Sequence, residues 1–381
     1  MNNPFRYGTI VTGEDFADRE KEQDQLQKDL MSRQHILLYS PRRYGKSSLM
    51  VMVLKKLNEQ GVMTSMIDLF ACVSIDDIIE KLVEETVIPA YKTSSKIMNF
   101  FKSAFRGVGV DLTLKPDGSI KVGLKKEIKS SGVKETLKQV LDAPEKLATA
   151  KKKPLVIVFD EFQEISNFSD YNLENLMRTR FQHHKNVTYV FMGSKKHIMQ
   201  QMFENADRPF YKFAKPFPLD VIPKKEFKKY ILEKFKGTKI DIDSSIVDKL
   251  LDFTQGHPYF TQQLCHELWN LTGEEKKVHG DDIEKAIANL LEIHNDLFLM
   301  MWDSSTLLQR KMLSALSTEG QVASIYSVSF IERHGLKSAS HAQRAIDQLL
   351  VNGTVEKKAD YFITSDIFFN EWIKRRTLCN S

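Results

Sequence analysis

HILLYSPRRYGKSSLM, residues 35–50, sets an apolar run against a polar turn and then a helical pattern. Ile36, Leu37, Leu38 and Tyr39 have the length and composition of a short buried strand. From Ser47 onward, Leu49, Met50, Val53, Leu54 and Leu57 recur at helical spacing. Between the two lie Ser40, Pro41, Arg42, Arg43 and Tyr44, then Gly45, Lys46, Ser47 and Ser48. Strand, tight loop and helix is the context in which backbone N–H groups and a helix N-terminus present positive potential to phosphate. The motif G-x-x-x-x-G-K-[ST] is met except that Ser40 replaces its first glycine. Serine is small, and Pro41 fixes the φ that follows near about −65°, so the tightness of the turn is the property affected. Lys46 is placed to reach the β- and γ-phosphates, and the Ser47 hydroxyl to ligate magnesium.

Further strands follow. VMTSMIDLF (62–70) reads as a second strand, with a helix at about 74–90. In PLVIVFDEFQEI (154–165), the continuous run Leu155 to Phe159 suits a parallel strand buried on both faces. It ends in Asp160 and Glu161, at the carboxyl edge where α/β sheets place their sites. One acid there can hold magnesium through water, and a second can polarise an attacking water. VTYVFMG (187–193) is another strand, ending at Gly193 and Ser194. KPFPLDVIP (215–223) is a fifth, with a helix beginning near Pro223.

Length and composition bound the rest. A chain of 381 residues exceeds one ordinary core, so two or three domains are expected. The apolar and charged shares, 42% and 28%, are those of a soluble globular protein. A net charge of +5 permits contact with nucleic acid or acidic lipid without demanding it. Cys72, Cys265 and Cys379 are too scattered for a disulfide framework or a zinc site, which fits a reducing, cytoplasmic location. The opening MNNPFRYG lacks the apolar stretch of a signal peptide, and no run approaches a membrane span, so no membrane insertion is expected.

Taken as a set, SPRRYGKSSL, DEFQEI and the MGS strand end resemble the archaeal-type ATPases, in the STAND branch of the AAA+-like P-loop NTPases. FADREKE (16–22) is similar to that family's F-x-x-R-x-x-E box, and GHPYF (256–260) to its G-x-P motif in a helical lid. The resemblance implies an α/β P-loop core with a parallel sheet, then a helical lid and a winged-helix domain. ATP and magnesium are its cofactors. It makes Lys46 and Ser47 the Walker A pair, and gives Ser40 to Ser48 to the nucleotide. Asp160 becomes the magnesium acid, Glu161 the catalytic acid, and Ser194 a polar sensor facing the γ-phosphate. Arg19 with Glu22 is implied to shape the adenine end, and Pro258 to pack near the base from the lid. The arginine finger is left among Arg178, Arg180, Arg208 and Lys212.

The expected domains are a core over 1–222, carrying an insertion at about 91–150, a lid over 223–302 and a winged helix over 303–381. Within the insertion, VDLTLKPDGSIKVGL (110–124) alternates on both sides of Pro-Asp-Gly and predicts a hairpin, followed by Lys125, Lys126 and Lys129. The stretch 224–297 is helical in pattern. In the tail, 308–316, 330–336 and 338–353 read as helices and 353–364 as a two-stranded wing. The outward residues of 338–350 are His341, Gln343, Arg344, Asp347 and Gln348, with Lys357 and Lys358 on the wing. That face is thinly basic, so packing or contact with a protein partner is favoured over reading DNA. The functional expectation is a slow ATPase switch, in which a neighbouring copy in a homo-oligomer supplies the arginine. The alternative is a DNA-binding regulator tuned by ATP.

Overall fold

A computed structural model describes residues 2–17, 19–105, 110–114, 120–124, 130–272, 275–358 and 360–379. The chain divides into two compact units, Gly8–Ile222 and Met1–Tyr7 together with Pro223–Ser381.

The first unit contains β1 (Ile36–Tyr39), β2 (Met63–Asp68), β3 (Val110–Leu114), β4 (Ile120–Leu124), β5 (Leu155–Asp160), β6 (Val187–Gly193) and β7 (Lys215–Pro218). Its helices are α1 (Glu20–Met31), α2 (Lys46–Glu59), α3 (Ile75–Thr86), α4 (Ser94–Ala104), α5 (Ser130–Lys151), α6 (Leu173–Phe181) and α7 (Lys196–Glu204). Five strands form one parallel sheet in the order β2-β5-β6-β1-β7. Side chains alternate between its faces along each strand. Leu37, Ile157, Phe159, Tyr189 and Phe191 pack with α3 to α7, while Ile36, Leu38, Val156, Val158, Val190 and Met192 pack with α1 and α2. The runs in β1, β5 and β6 are buried because helices cover both sides. Pro216 and Pro218 are tolerated in β7 because it is an edge strand.

The insertion is more helical than its sequence suggests. The 110–124 hairpin forms as expected, pairing Val110 with Leu124 and Leu114 with Ile120. It lies between α4 and α5, and α5 runs through Pro144. The Pro-Asp-Gly turn and Lys125, Lys126 and Lys129 lie outside the described residues.

The second unit continues with α8 (Lys224–Gly237), β8 (Asp241–Ile242), α9 (Ser244–Thr254), α10 (Pro258–Leu271), β9 (Lys277–Val278), α11 (Asp282–Ile293) and α12 (Asn295–Asp303). Pro223 is the N-cap of α8 rather than its first residue. The two-residue strands β8 and β9 pair in parallel, which the helical reading of 224–297 did not foresee. Next come α13 (Leu307–Glu319), α14 (Val328–Arg333), α15 (Ala339–Val351), β10 (Val355–Lys358), β11 (Tyr361–Thr364) and α16 (Ile367–Cys379). Side-chain caps start several of these helices. Thr306 and Gln309 form a capping box on α13, and Ser327 and Ser338 cap α14 and α15. Antiparallel β10 and β11 make the wing.

The apolar tail of α16 is covered within this same unit. The Phe368 ring lies 5.8 Å from those of Phe253 and Phe260, and Phe369 lies 5.5 Å from Phe298. Trp372 Nε1 donates to Asn295 Oδ1 at 3.1 Å, and Arg375 pairs with Glu284 at 2.6 Å. The helical segment and the winged helix therefore share a core. The N-terminal residues join it as well: Phe5 packs on Phe235 with centroids 4.8 Å apart, and Asn3 Nδ2 donates to His266 O at 2.9 Å.

This packing makes a direct prediction. Phe369→Ala should destabilise the second unit by about 3–5 kcal/mol, because it removes a fully buried ring. Lys374→Ala, on the exposed side of the same helix, should stay within about 0.5 kcal/mol of wild type. Denaturant unfolding followed by tryptophan fluorescence tests the pair, since Trp302 and Trp372 report on this region.

Candidate functional site

The carboxyl ends of β1, β6 and β5 lie side by side, and each leads directly into a polar group. After β1 the chain turns through residues 40–45, with left-handed backbone at Arg43 (φ 67°) and Gly45 (φ 86°), and enters α2 at Lys46. Ser40 fits where a glycine is usual: it is buried, and its N–H donates to Gly193 O on β6 at 3.4 Å. Lys46 Nζ folds back over the loop and donates to Ser40 O at 2.8 Å and Pro41 O at 2.9 Å. Arg42 and Arg43 point to solvent. Tyr44 and Ser48 are buried in the unit, and Ser48 Oγ accepts from the N–H of Val11 at 3.1 Å. Those two side chains support the loop.

The two acids end β5 but face different partners. Ser47 Oγ donates to Asp160 Oδ2 at 3.0 Å, and the Glu161 N–H donates to Asp160 Oδ1 at 2.9 Å. Burial raises the Asp160 pKa above the ordinary carboxyl value. The neighbouring Glu161 charge adds to this, while the Ser47 hydroxyl, the Glu161 N–H and Lys46 act against it. Glu161 has left-handed backbone, φ 51°, which turns the chain sharply into a 3-10 stretch over Phe162–Tyr171. Its Oε2 accepts from Ser194 Oγ at 2.7 Å, from the Ser194 N–H at 3.4 Å, and from Gln163 Nε2. Ser194, expected as a sensor toward phosphate, thus engages the second acid. Phe162 anchors the turn beneath, with its ring 4.6 Å from Phe191 and 5.3 Å from Phe210.

Two residues carry more of the geometry than their sequence suggested. Gln163 is buried, 3% exposed, beside Glu161. A Cβ at Gly193 would fall 2.6 Å from Gln163 Oε1 and 2.4 Å from Met199 Cγ, so any larger residue there would force Gln163 and Met199 to shift. Gln163 stands in plain view in DEFQEI, but its contact depends on the left-handed turn at Glu161. Arg19, expected near the adenine, is 2% exposed and braces the backbone instead. It pairs with Glu22 at 3.1 Å and donates to Tyr44 O at 3.2 Å and Asp220 O at 2.7 Å, tying the phosphate-loop backbone to the segment after β7.

The finger candidates have local partners. Arg180 forks onto both carboxylate oxygens of Asp142, and Arg208 onto both of Glu174. Arg178 lies 4.4 Å over the Phe213 ring and donates to Gln182, while the Lys212 ammonium lies 5.1 Å over Tyr211. Pro258 opens α10 in the other unit, at the first turn where its missing N–H is harmless. Among the described residues, no group of three or more His, Cys, Asp or Glu could hold a metal by itself. None of the helices described is long and apolar enough to cross a membrane.

Comparison with known proteins agrees with this geometry. A family model described as an ATPase domain predominantly from Archaea matches residues 16–264. A model for a probable winged helix domain matches residues 296–375. No curated protein sequence matches the chain. Among solved structures, the fold is similar to a Walker-type ATPase of Pyrococcus abyssi, with a TM-score of 0.65 at 16% identity, covering 97% of this chain and 99% of that one. It is also similar to the ORC2 protein of Aeropyrum pernix, in ADPNP–ADP complexes, with a TM-score of 0.57 at 12% identity over 99% and 98% of the two chains.

The brace at Arg19 can be tested by itself. Arg19→Met keeps most of the packing and removes the charged hydrogen bonds, at an expected loss of about 1.5–3 kcal/mol. The midpoint of thermal unfolding should fall, and an adenine-nucleotide analogue should recover part of the loss by binding the folded form.

Proposed function

Given that the chain belongs to the family of ATPase domains found predominantly in Archaea, we propose that it is a magnesium-dependent ATP switch of the STAND type with slow hydrolysis. The observation that carries the reading is the meeting of Ser47 and Asp160 at 3.0 Å, beside Lys46 on one flank and Glu161 on the other. A phosphate-binding loop and two strand-end acids converge there, which is the equipment of nucleotide hydrolysis.

The residues fit magnesium. Ser47 Oγ and Asp160 Oδ2 are hard oxygens, the donor type the ion takes, and one or two protein ligands suffice where phosphates and water complete the shell. When bound, magnesium neutralises charge on the phosphate oxygens. A cation beside Asp160 also favours its charged form against the burial that disfavours it. Lys46 exchanges the carbonyls of Ser40 and Pro41 for phosphate oxygens when nucleotide enters. The loop N–H groups and the start of α2 take up the remaining charge.

In the reaction, a water oxygen bonds to the γ-phosphorus while the bond from that phosphorus to the β–γ bridging oxygen breaks. Glu161 orients the water and accepts its proton, and ADP leaves with the bridging oxygen. Arg180 and Arg208 are occupied by Asp142 and Glu174. A second copy of the chain carries the same pairs, so the arginine is assigned to a side chain that leaves its local partner on assembly, and the turnover of one copy alone is then slow. The nucleotide biases the helical and winged-helix segments by binding one of their states more tightly than another.

A second reading makes the winged helix a DNA reader, and the match of residues 296–375 to a winged-helix model favours it. The face of α15 argues for protein contact instead. Gln343 Nε2 is engaged by Asp347 at 2.6 Å, and Asp347 offsets Arg344. DNA binding through phosphates would weaken steeply as salt rises.

Three variants test the ATPase reading. Lys46→Ala should abolish tight Mg-ATP binding in calorimetry without unfolding the chain. Asp160→Asn should weaken the magnesium-dependent part of that binding. Glu161→Gln should bind ATP normally and lose turnover by about 10²–10⁴-fold in a phosphate-release assay. Normal turnover in Glu161→Gln would remove Glu161 from the chemistry.

A further inference from the structure

Glu161 is held on one side only. Three donors, the Ser194 hydroxyl, the Ser194 N–H and the Gln163 amide, all fall on Oε2, and Oε1 takes none of them. We infer that Gln163 is a positioning residue for water activation: with Ser194 it fixes the Glu161 carboxylate so that Oε1 is presented to the attacking water. The inference rests on the assignment of Glu161 as the group that receives the proton.

The placement of Gln163 is built in some detail. The left-handed backbone of Glu161 folds the 3-10 stretch back, so that a side chain two residues later meets the carboxylate. Gly193 leaves the room in which the amide sits, and a Cβ there would collide with it. The orientation of the amide follows from its neighbour, since an ionised carboxylate can only accept and must face the N–H₂ end. The amide oxygen pays for this. Gln163 Oε1 is buried and has no hydrogen-bond partner among the described residues. A buried orphan acceptor lowers stability, and a methionine or leucine at 163 would avoid that loss. Stability of the fold therefore does not explain the residue, whereas a fixed direction for Glu161 does. A general base misplaced by about 1 Å can lose a hundredfold in rate, so a small clamp has a large effect on chemistry.

A double-mutant cycle tests the inference, using single-turnover ATP hydrolysis by the full chain and equilibrium binding of a non-hydrolysable ATP analogue. Gln163→Met keeps the length of the side chain and deletes the donor. It should lower the single-turnover rate about ten- to a hundredfold and leave the analogue dissociation constant within about twofold of wild type. In a Glu161→Gln background, the same substitution should produce no further loss, because its effect passes through the carboxylate. If Gln163→Met does not fold, Gln163→Leu makes the same comparison, since it deletes the donor without adding a charge. A wild-type rate in the folded variant would overturn the inference, and so would an equal loss in both backgrounds, which marks a structural role. A Glu161→Gln chain that hydrolyses ATP normally fails differently: it rejects Glu161 as the base, and the positioning role with it.

Discussion

The hydroxyl of Ser47 meets the carboxylate of Asp160 at 3.0 Å across 113 residues of chain, although β6 lies between the strands that lead to them. That contact requires three parallel strands to end together. The register secures it, with Ile36 beside Val190, Val158 beside Val190 and Phe159 beside Phe191. A shift of one residue would send the next side chain of each strand to the opposite face. Both faces are apolar and helix-covered here, so burial alone does not exclude such a shift. Packing shape does, through the tight fit of Gly193 against Met199 and Gln163, and through the rings that stack between Phe159, Phe181 and Tyr189. The geometry at the edge is thus a consequence of side chains one layer below it.

Strands β1, β5 and β6 were legible because they are short, buried and nearly continuous apolar runs followed by a polar or charged residue. The place of Lys46 and Ser47 after the first strand, and of Asp160 and Glu161 at the end of β5, was legible for the same reason, since they adjoin such runs. What escaped depends on contacts without a pattern in sequence. Helix α5 is long but interrupted by Pro144, which usually argues against a helix. Beyond Glu22, Arg19 reaches the backbone carbonyls of Tyr44 and Asp220, which any residue at 44 or 220 would supply. The link between Gln163 and Glu161 depends on a positive φ at a glutamate, which local propensity does not foretell. Ser194 was placed correctly at the strand end, but its hydroxyl turns to the acid, a choice set by the neighbouring strand.

In the second unit, the division into lid and winged helix was drawn from a change of pattern near residue 303. The packing crosses that line. Trp372 hydrogen-bonds Asn295, and Phe368 and Phe369 fill a layer begun by Phe253, Phe260 and Phe298. The apolar residues of α16 are the closing wall of a local core. The exposed face of α15 keeps a near balance of charge, which a reader of phosphate backbones does not need and a protein contact tolerates.

Residues 2–7 pack with a unit whose remaining chain starts only at residue 223. The first unit is in effect an insertion between the opening segment of the second unit and its body. During synthesis, Asn3 and Phe5 emerge before the first unit, yet their partners Phe235, His266 and Asn270 appear more than 200 residues later. The opening segment must stay unpaired while a complete sheet domain folds behind it, and then return to close a very long loop. Because the cost of loop closure grows only with the logarithm of length, that return is thermodynamically mild. A cut between residues 7 and 8 would leave residues 2–7 held by ring packing and hydrogen bonds alone, and the second unit would then behave as a two-piece assembly.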